Sequence, residues 1–293
     1  MFRLNRKWMP YLLITPAFIL VLLIVVFPFI FTVRNSFLYW NLQTSPIPIA
    51  SVGFDNYRFV LQDPTFLAAV VNTLVITFTG TAIQFVLGLA IALLLYEELK
   101  GTGPVRAIVI MPMTVAPMVA GLIFRYLMYN EGLIPYLLTR VGLSAPPQGI
   151  LGSASTVLAG IVLTDVWQWT PFFAIILLAG LQSISYEMIE QGMIDGASYF
   201  TRLFRLLLPN LNFVAVMIIL IRFMMLFNLF DVIYAQTRGG PGIASRTLSY
   251  NLYQAGLVEF NIGYSSAMAV LMILMVLVLI NLFIVGFLRG KEI

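Results

Sequence analysis

Two ionisable side chains, Asp165 and Arg222, stand inside long apolar stretches of the sequence. A charge at the centre of an apolar membrane helix costs roughly 2.5 to 3.5 kcal/mol on insertion scales, so each must face a protein interior or a water-filled cavity. Helical spacing puts Asp165, Gln168, Trp169 and Phe172 in one stripe, where hydrogen-bonding groups and aromatic faces together suit a polar, ring-shaped solute. Asn228 and Asp231 share a second face at i,i+3, with Arg222 projecting elsewhere on the same helix. Asp165, Gln168, Trp169, Asn228 and Asp231 are therefore the candidate solute pathway. A structural reading stands beside it, in which Asp165 and Arg222 pair across a bundle while Asn72 and Gln84 hydrogen-bond between helices. Catalysis and metal binding find no footing. With 0 His and 0 Cys the sequence excludes disulfides, thiol nucleophiles, Cys/His zinc sites and Ser-His-Asp triads. The Met-rich strings, Met224-Met225 and residues 268–275, read as packing filler rather than a metal path.

The elements that must position these groups are membrane helices. The 293 residues are 61% hydrophobic and 10% charged, with a mean hydropathy of +0.99. A soluble core of this length cannot bury that much apolar surface, so the surplus faces lipid. Backbone in lipid must be hydrogen-bonded internally, and these apolar runs lack strand alternation, so the spans are helices of about 20 residues. Six are predicted, at roughly 10–33, 67–96, 105–128, 156–181, 210–234 and 262–288. The first follows Arg3, Arg6 and Lys7, but its apolar run from Tyr11 to Val33 exceeds the roughly 7–15 residues of a cleaved signal segment, and it is read as retained.

Lys and Arg are held on the cytoplasmic side of a membrane, which sets orientation. Placing the N-terminus inside puts Arg3, Arg6, Lys7, Lys100, Arg106, Arg202, Arg205, Arg289 and Lys291 in the cytoplasm, and Arg34, Arg58, Arg140, Arg238 and Arg246 outside. Both termini then lie inside. The net charge of +4 reflects these flanks and implies no nucleic-acid partner. The outer segments carry turn formers such as Pro46, Pro48, Pro146, Pro147 and Gly239-Gly240-Pro241-Gly242, and read as compact caps on one domain spanning 1–293.

The longest cytoplasmic connection, about 182–209, has helical rather than linker character. Spacing puts Glu190, Met193, Ile194 and Ala197 near one face; Gly196 then permits a sharp turn, through positive φ or close backbone approach. A second short helix follows, with Leu203, Leu206 and Leu207 as its apolar stripe and Arg202 and Arg205 as its cationic flank. Pro209 begins the next span at a tolerated first-turn position. By periodicity alone this segment is equally an interfacial amphipathic helix.

The order of residues is more specific. Glu190, Asp195, Gly196, Ala197, Leu203, Leu206, Leu208 and Pro209 fall in the register of the EAA motif, and the segment resembles that motif of ABC importer permeases. Gln191 and Gly192 replace the two alanines, and Leu203 stands where the sugar-importing group usually has Phe. Further matches follow in order: Val52-Gly53-Phe54-Asp55-Asn56-Tyr57, Asp63-Pro64, Asn72-Thr73, Trp167-Gln168-Trp169-Thr170-Pro171-Phe172, Phe230-Asp231-Val232-Ile233-Tyr234, Thr237-Arg238-Gly239-Gly240-Pro241 and Gly263-Tyr264-Ser265-Ser266-Ala267. Together they resemble the maltose-type sugar and glycerol-phosphate permeases over nearly the whole chain.

That resemblance implies an all-α membrane protein with the six-helix, maltose-type (type I) ABC importer permease fold, placed in the inner membrane. Glu190, Asp195, Gly196, Ala197, Leu203, Leu206 and Pro209 would form the coupling helix that docks on a cytoplasmic ATPase. The implied partners are a second permease subunit, two ATPase subunits that use ATP and Mg, an extracytoplasmic solute-binding protein and membrane lipid. No cofactor is expected in this chain, whose Gly290-Lys291-Glu292 lacks the glycine spacing and Ser or Thr of a phosphate-binding loop. Neutral saccharide, polyol, glycerol phosphate and anionic sugar all remain open as solutes. The rival from another class, an ion-gradient-driven transporter, would need working ionisable groups at midplane and would leave the coupling motif without a purpose.

Overall fold

The structure, a computed structural model, describes residues 9–96 and 102–289. The basic residues Arg3, Arg6, Lys7, Lys100 and Lys291, and the Gly290-Lys291-Glu292 sequence, lie outside the described residues. The helices are α1 Met9–Asn35, α2 Asp55–Gln62, α3 Pro64–Tyr96, α4 Gly103–Thr114, α5 Pro117–Leu127, α6 Leu133–Arg140 and α7 Val157–Gln182. They continue with α8 Tyr186–Ile194, α9 Tyr199–Phe227, α10 Asp231–Gln236, α11 Leu248–Tyr253 and α12 Ile262–Arg289. A two-stranded antiparallel pair, β1 Leu38–Tyr39 and β2 Ala50–Ser51, joins Leu38 to Ser51 and Tyr39 to Ala50. Among the described residues α1, α3, α7, α9 and α12 are each long and apolar enough to cross a membrane, and α4 with α5 makes a sixth span if the bent pair counts as one.

Two of the six expectations need correction. The third span is not one straight helix over 105–128: α4 and α5 meet at 94°. Pro112 sits in the 3-10 turn that ends α4, and Pro117 opens α5 with Ala116 pushed to the extended region at ψ 137. A proline disfavours helical backbone in the residue before it, so the break falls there. The fifth span begins at Tyr199 rather than near 210, and ends at Phe227 rather than 234. Pro209 does stand in the first turn of the α-helical stretch Leu208–Phe227, as expected, but that stretch is joined without a sharp bend to the helical run that begins at Tyr199. The π turn Leu203–Leu207 immediately before Leu208 widens the helix where the proline's missing N–H would otherwise break the ladder. Asn228 leaves the helix at φ −97 and ψ 17, so Asn228 and Asp231, expected on one helix face, belong to different elements.

The chain forms two compact units. The first combines residues up to Asp63 with Leu252–Leu277. Within it Asn56 Nδ2 donates to the carbonyls of Ser36 and Leu38, and Phe37, Phe54 and Tyr57 pack ring against ring. The Tyr264 hydroxyl donates to Asp63 at 2.6 Å. Gly263 donates to the Trp40 carbonyl, and a Cβ there would collide with the Leu38 carbonyl.

The second unit runs from Pro64 to Asn251 and takes in the chain after Val278. Its centre is α7: 61% of its apolar window is buried, against 39% for α9 and 33% for α3. α3 and α7 lie against each other so closely that a Cβ at Gly88 would collide with Phe173. Small residues let membrane helices approach in this way, since lipid supplies no hydrophobic force between them. α9 packs on both. One apolar cluster, including Ala92, Leu95, Phe173, Leu177, Leu181, Leu207 and Ile218, fills the end near α8; a second, including Ile76, Ile161, Val166, Leu226 and Val232, fills the other.

Candidate functional site

The segment between α7 and α9 is a helical hairpin whose turn is capped on both sides. α8 closes on a Schellman turn: Gly196 N donates to Met193 O at 3.0 Å and Ala197 N to Gly192 O at 2.9 Å. Gly196 holds φ +73, and a Cβ there would meet nothing within 4 Å. Positive φ, not crowding, is therefore why glycine stands at this turn. Two residues on, Ser198 caps α9 by accepting from Thr201 N at 3.3 Å. A connection of four residues, Asp195 to Ser198, thus reverses the chain, with the amides of Asp195, Gly196 and Ala197 bonded back to α8.

Ile189, Leu203 and Leu207 bury themselves in the apolar cluster with Leu95 and Leu181, and this anchors the hairpin. Gly192, which replaces a motif alanine, has a reason: a Cβ would come within 2.8 Å of Leu206 Cδ1. The glycine lets α8 and the start of α9 close on each other. The opposite face is bare. Glu190 and Asp195 are exposed, as are Met193 at 49% and Ile194 at 79%, with Ala197 half-buried. Large apolar side chains thus stand outward beside a capped turn.

The intramembrane charges meet in the second unit, between the two apolar clusters. Arg222 Nη2 donates to Asp165 Oδ2 at 2.5 Å, with the two side chains 2% and 1% exposed. Arg222 Nε donates to Gln84 Oε1 at 2.9 Å, and Gln84 Nε2 donates to Asp165 Oδ2 at 2.6 Å and to its carbonyl at 3.1 Å. The Trp169 ring lies under the guanidinium, 4.8 Å from centroid to Cζ. One residue each from α3 and α9, and two from α7, form this closed ring. Opposite charges neutralise each other there, and the glutamine takes part of what they still offer.

Of the expected pathway residues, Asp165 and Gln168 are turned into the protein. Gln168 Nε2 donates to the Val115 carbonyl at 2.6 Å. Val115 lies at the break between α4 and α5, where the helix leaves carbonyls unpaired, so Gln168 supports the bend. Trp169 is half-buried, and Asn228 and Asp231 are exposed. The sequence reading missed the link from Gln168 to the broken span, although Pro112 and Pro117 signalled a break.

A bundle of long apolar helices, with one broken span and a capped hairpin between α7 and α9, defines a polytopic membrane protein. The chain belongs to the family of binding-protein-dependent transport system inner membrane components, matched over residues 84–289. It is 36% identical over 273 residues to the trehalose/maltose transport system permease protein MalF of Thermococcus litoralis, covering 91% of this chain and 89% of that one. It is 34% identical over 272 residues to the sulfoquinovosyl glycerol transport system permease protein SmoG of Agrobacterium fabrum, covering 92% and 87%. With the sn-glycerol-3-phosphate transport system permease protein UgpA of Pectobacterium atrosepticum the identity is 30% over 278 residues, covering 93% and 92%. The fold is that of a bacterial ABC transporter involved in the import of the acidic polysaccharide alginate, with a TM-score of 0.81 at 21% identity over 97% of this chain and 96% of that chain.

Proposed function

We propose that this chain is the permease subunit of an importer for a sugar or sugar-like solute, that it forms half of the translocation path as a single permease domain, and that the hairpin from Glu190 to Pro209 couples it to a cytoplasmic ATPase. The observation that carries the reading is the hairpin itself. Its inner face is packed and its turn capped, while Met193 and Ile194 stand exposed beside Glu190. The sugar class rests on the relatives, whose names specify trehalose and maltose, a sulfosugar glycerol conjugate and glycerol phosphate. A second permease subunit, two ATPase subunits and a solute-binding protein complete the assembly; one related transporter structure is of a complex with a solute-loaded periplasmic protein. Both termini and the hairpin lie in the cytoplasm, an orientation supported by Arg106, Arg202 and Arg205 flanking that side. Trp169, Asn228 and Asp231 face the solute, while Asp165 and Gln168 hold the wall they stand on. An ion-gradient mechanism has little to work with, because Asp165 and Arg222 are committed to each other.

The test is Gly196→Val. A residue with Cβ at φ +73 costs about 1–2 kcal/mol, more when β-branched, so the turn opens. Insertion depends on apolar length and should persist. In reconstituted membranes with the ATPase and loaded binding protein, stimulated hydrolysis and uptake should fall together, with less ATPase retained in a pull-down. Wild-type stimulation and uptake in this variant would reduce the hairpin to an interfacial helix.

A further inference from the structure

The hairpin is continuous with α9, and α9 carries Arg222. No sharp bend separates Tyr199 from Phe227, the π turn Leu203–Leu207 and Pro209 included, so a push at the hairpin travels along one helical run. Arg222 lies 20 residues beyond Arg202, about 30 Å along the helix. What the push does next depends on how α9 is held to its neighbours. Along most of its length α9 meets them through Leu207, Leu211, Ile218 and Leu226, with Leu211 seated against Gly180 of α7; these are apolar side chains for which the bilayer is an equally good environment. Such contacts are movable leucine ends and bind the helix less firmly than an ion pair. The ring of Arg222, Asp165, Gln84 and Trp169 holds it more firmly, because parting the guanidinium from the carboxylate leaves two bare charges away from water. α3 and α7 are already locked to each other where Gly88 meets Phe173.

We propose that Arg222 is a positioning residue for transport: it clasps α9 to the α3–α7 pair, so that a displacement entering at the hairpin turns all three helices as one body. The inference rests on the coupling role of the hairpin proposed above. Two features favour a clasp over a mere packing device. The ring joins three helices distant in sequence, with Arg222 138 residues from Gln84 and 57 from Asp165. Its ion pair is also buried between the two apolar clusters, where it is little screened.

The chain has 0 Cys, which makes the wild-type background ready for paired labels. Spin labels at Ile175→Cys on α7 and Met217→Cys on α9, both exposed positions, report the distance between the helices in the complete transporter with and without trapped nucleotide. The expected result is one unchanged distance in both states; a distance that differs between states overturns the clasp. The second arm is the double variant Asp165→Leu with Arg222→Met, in which an apolar pair of similar size replaces the ions and spares the fold a lone buried charge. Its complex should assemble, but stimulation of ATP hydrolysis by loaded binding protein should fall on the order of tenfold, and the label distance should now vary with nucleotide. Full stimulation and a fixed distance in the double variant would show that the ring is packing alone. If the double variant does not assemble, the wild-type label distance decides. A wild-type chain that neither retains the ATPase nor takes up solute with ATP would instead remove the coupling reading on which this rests.

Discussion

At the scale of single residues, the polar groups of the bundle divide by what they satisfy. Asp165 and Arg222 were legible in the sequence as charges that could not face lipid, because the insertion cost applies whatever the fold. Their choice of each other was one of two open readings, since pairing depends on how α7 and α9 are rotated. Gln168 shows the limit more sharply. Its stripe on α7 suggested a face for solute, yet its side chain is buried and its Nε2 donates to the Val115 carbonyl, 53 residues earlier. Replacing it with Leu leaves that carbonyl without its donor beside a broken helix, and the loss should be about 1–3 kcal/mol. Thermal unfolding in detergent checks this: Gln168→Leu should lower the midpoint, whereas Gln168→Asn, able to keep a donor in the region, should lower it less. Equal midpoints for Gln168→Leu and wild type would mean that the bend is held without it.

At the scale of elements, spacing of apolar residues located the helices, and local chemistry set their ends. The Gly196 turn was readable because an αL position followed by a serine cap is decided within a few residues. The early start of α9 was not, because an amphipathic segment and an apolar one can join into one helix, and Pro209 looks like a beginning from either side. Close packing of α3 on α7 is likewise invisible in composition, since a glycine in a span reads the same whether it is crowded or free. The structure separates the cases. Gly88→Leu should drive α3 from α7, a change that overpacking alone makes cost about 1–3 kcal/mol or more, and should be seen as loss of folded protein on size exclusion. Gly286→Leu, where a Cβ meets nothing within 4 Å, is the matched control and should behave as wild type. Equal behaviour of the two would sink the account of the helix crossing.

At the scale of the whole molecule, orientation is a statement about charge outside the spans rather than about any contact. Two single-cysteine variants of the Cys-free chain read it directly. Asp55→Cys, at the first turn of α2, should react with an impermeant maleimide added outside, and Met193→Cys, exposed on α8, only after the inner face is opened. The reverse pattern would invert the topology and put the hairpin out of reach of a cytoplasmic ATPase.

The sequence by itself determined that this is a helical membrane protein, approximately where its spans lie, and that residues 182–209 hold a glycine turn between two helical stretches. These follow from terms that act locally or additively: apolar length against bilayer thickness, positive φ at one glycine, the cost of a charge in lipid. Only the tertiary structure decided that the third span breaks where Gln168 can support it, that Gly192 yields to Leu206, and that Arg222 closes a ring with Asp165 and Gln84. Each depends on side chains from different helices meeting at one depth and rotation. That arrangement is set by the packing of all the helices together, which no single segment specifies.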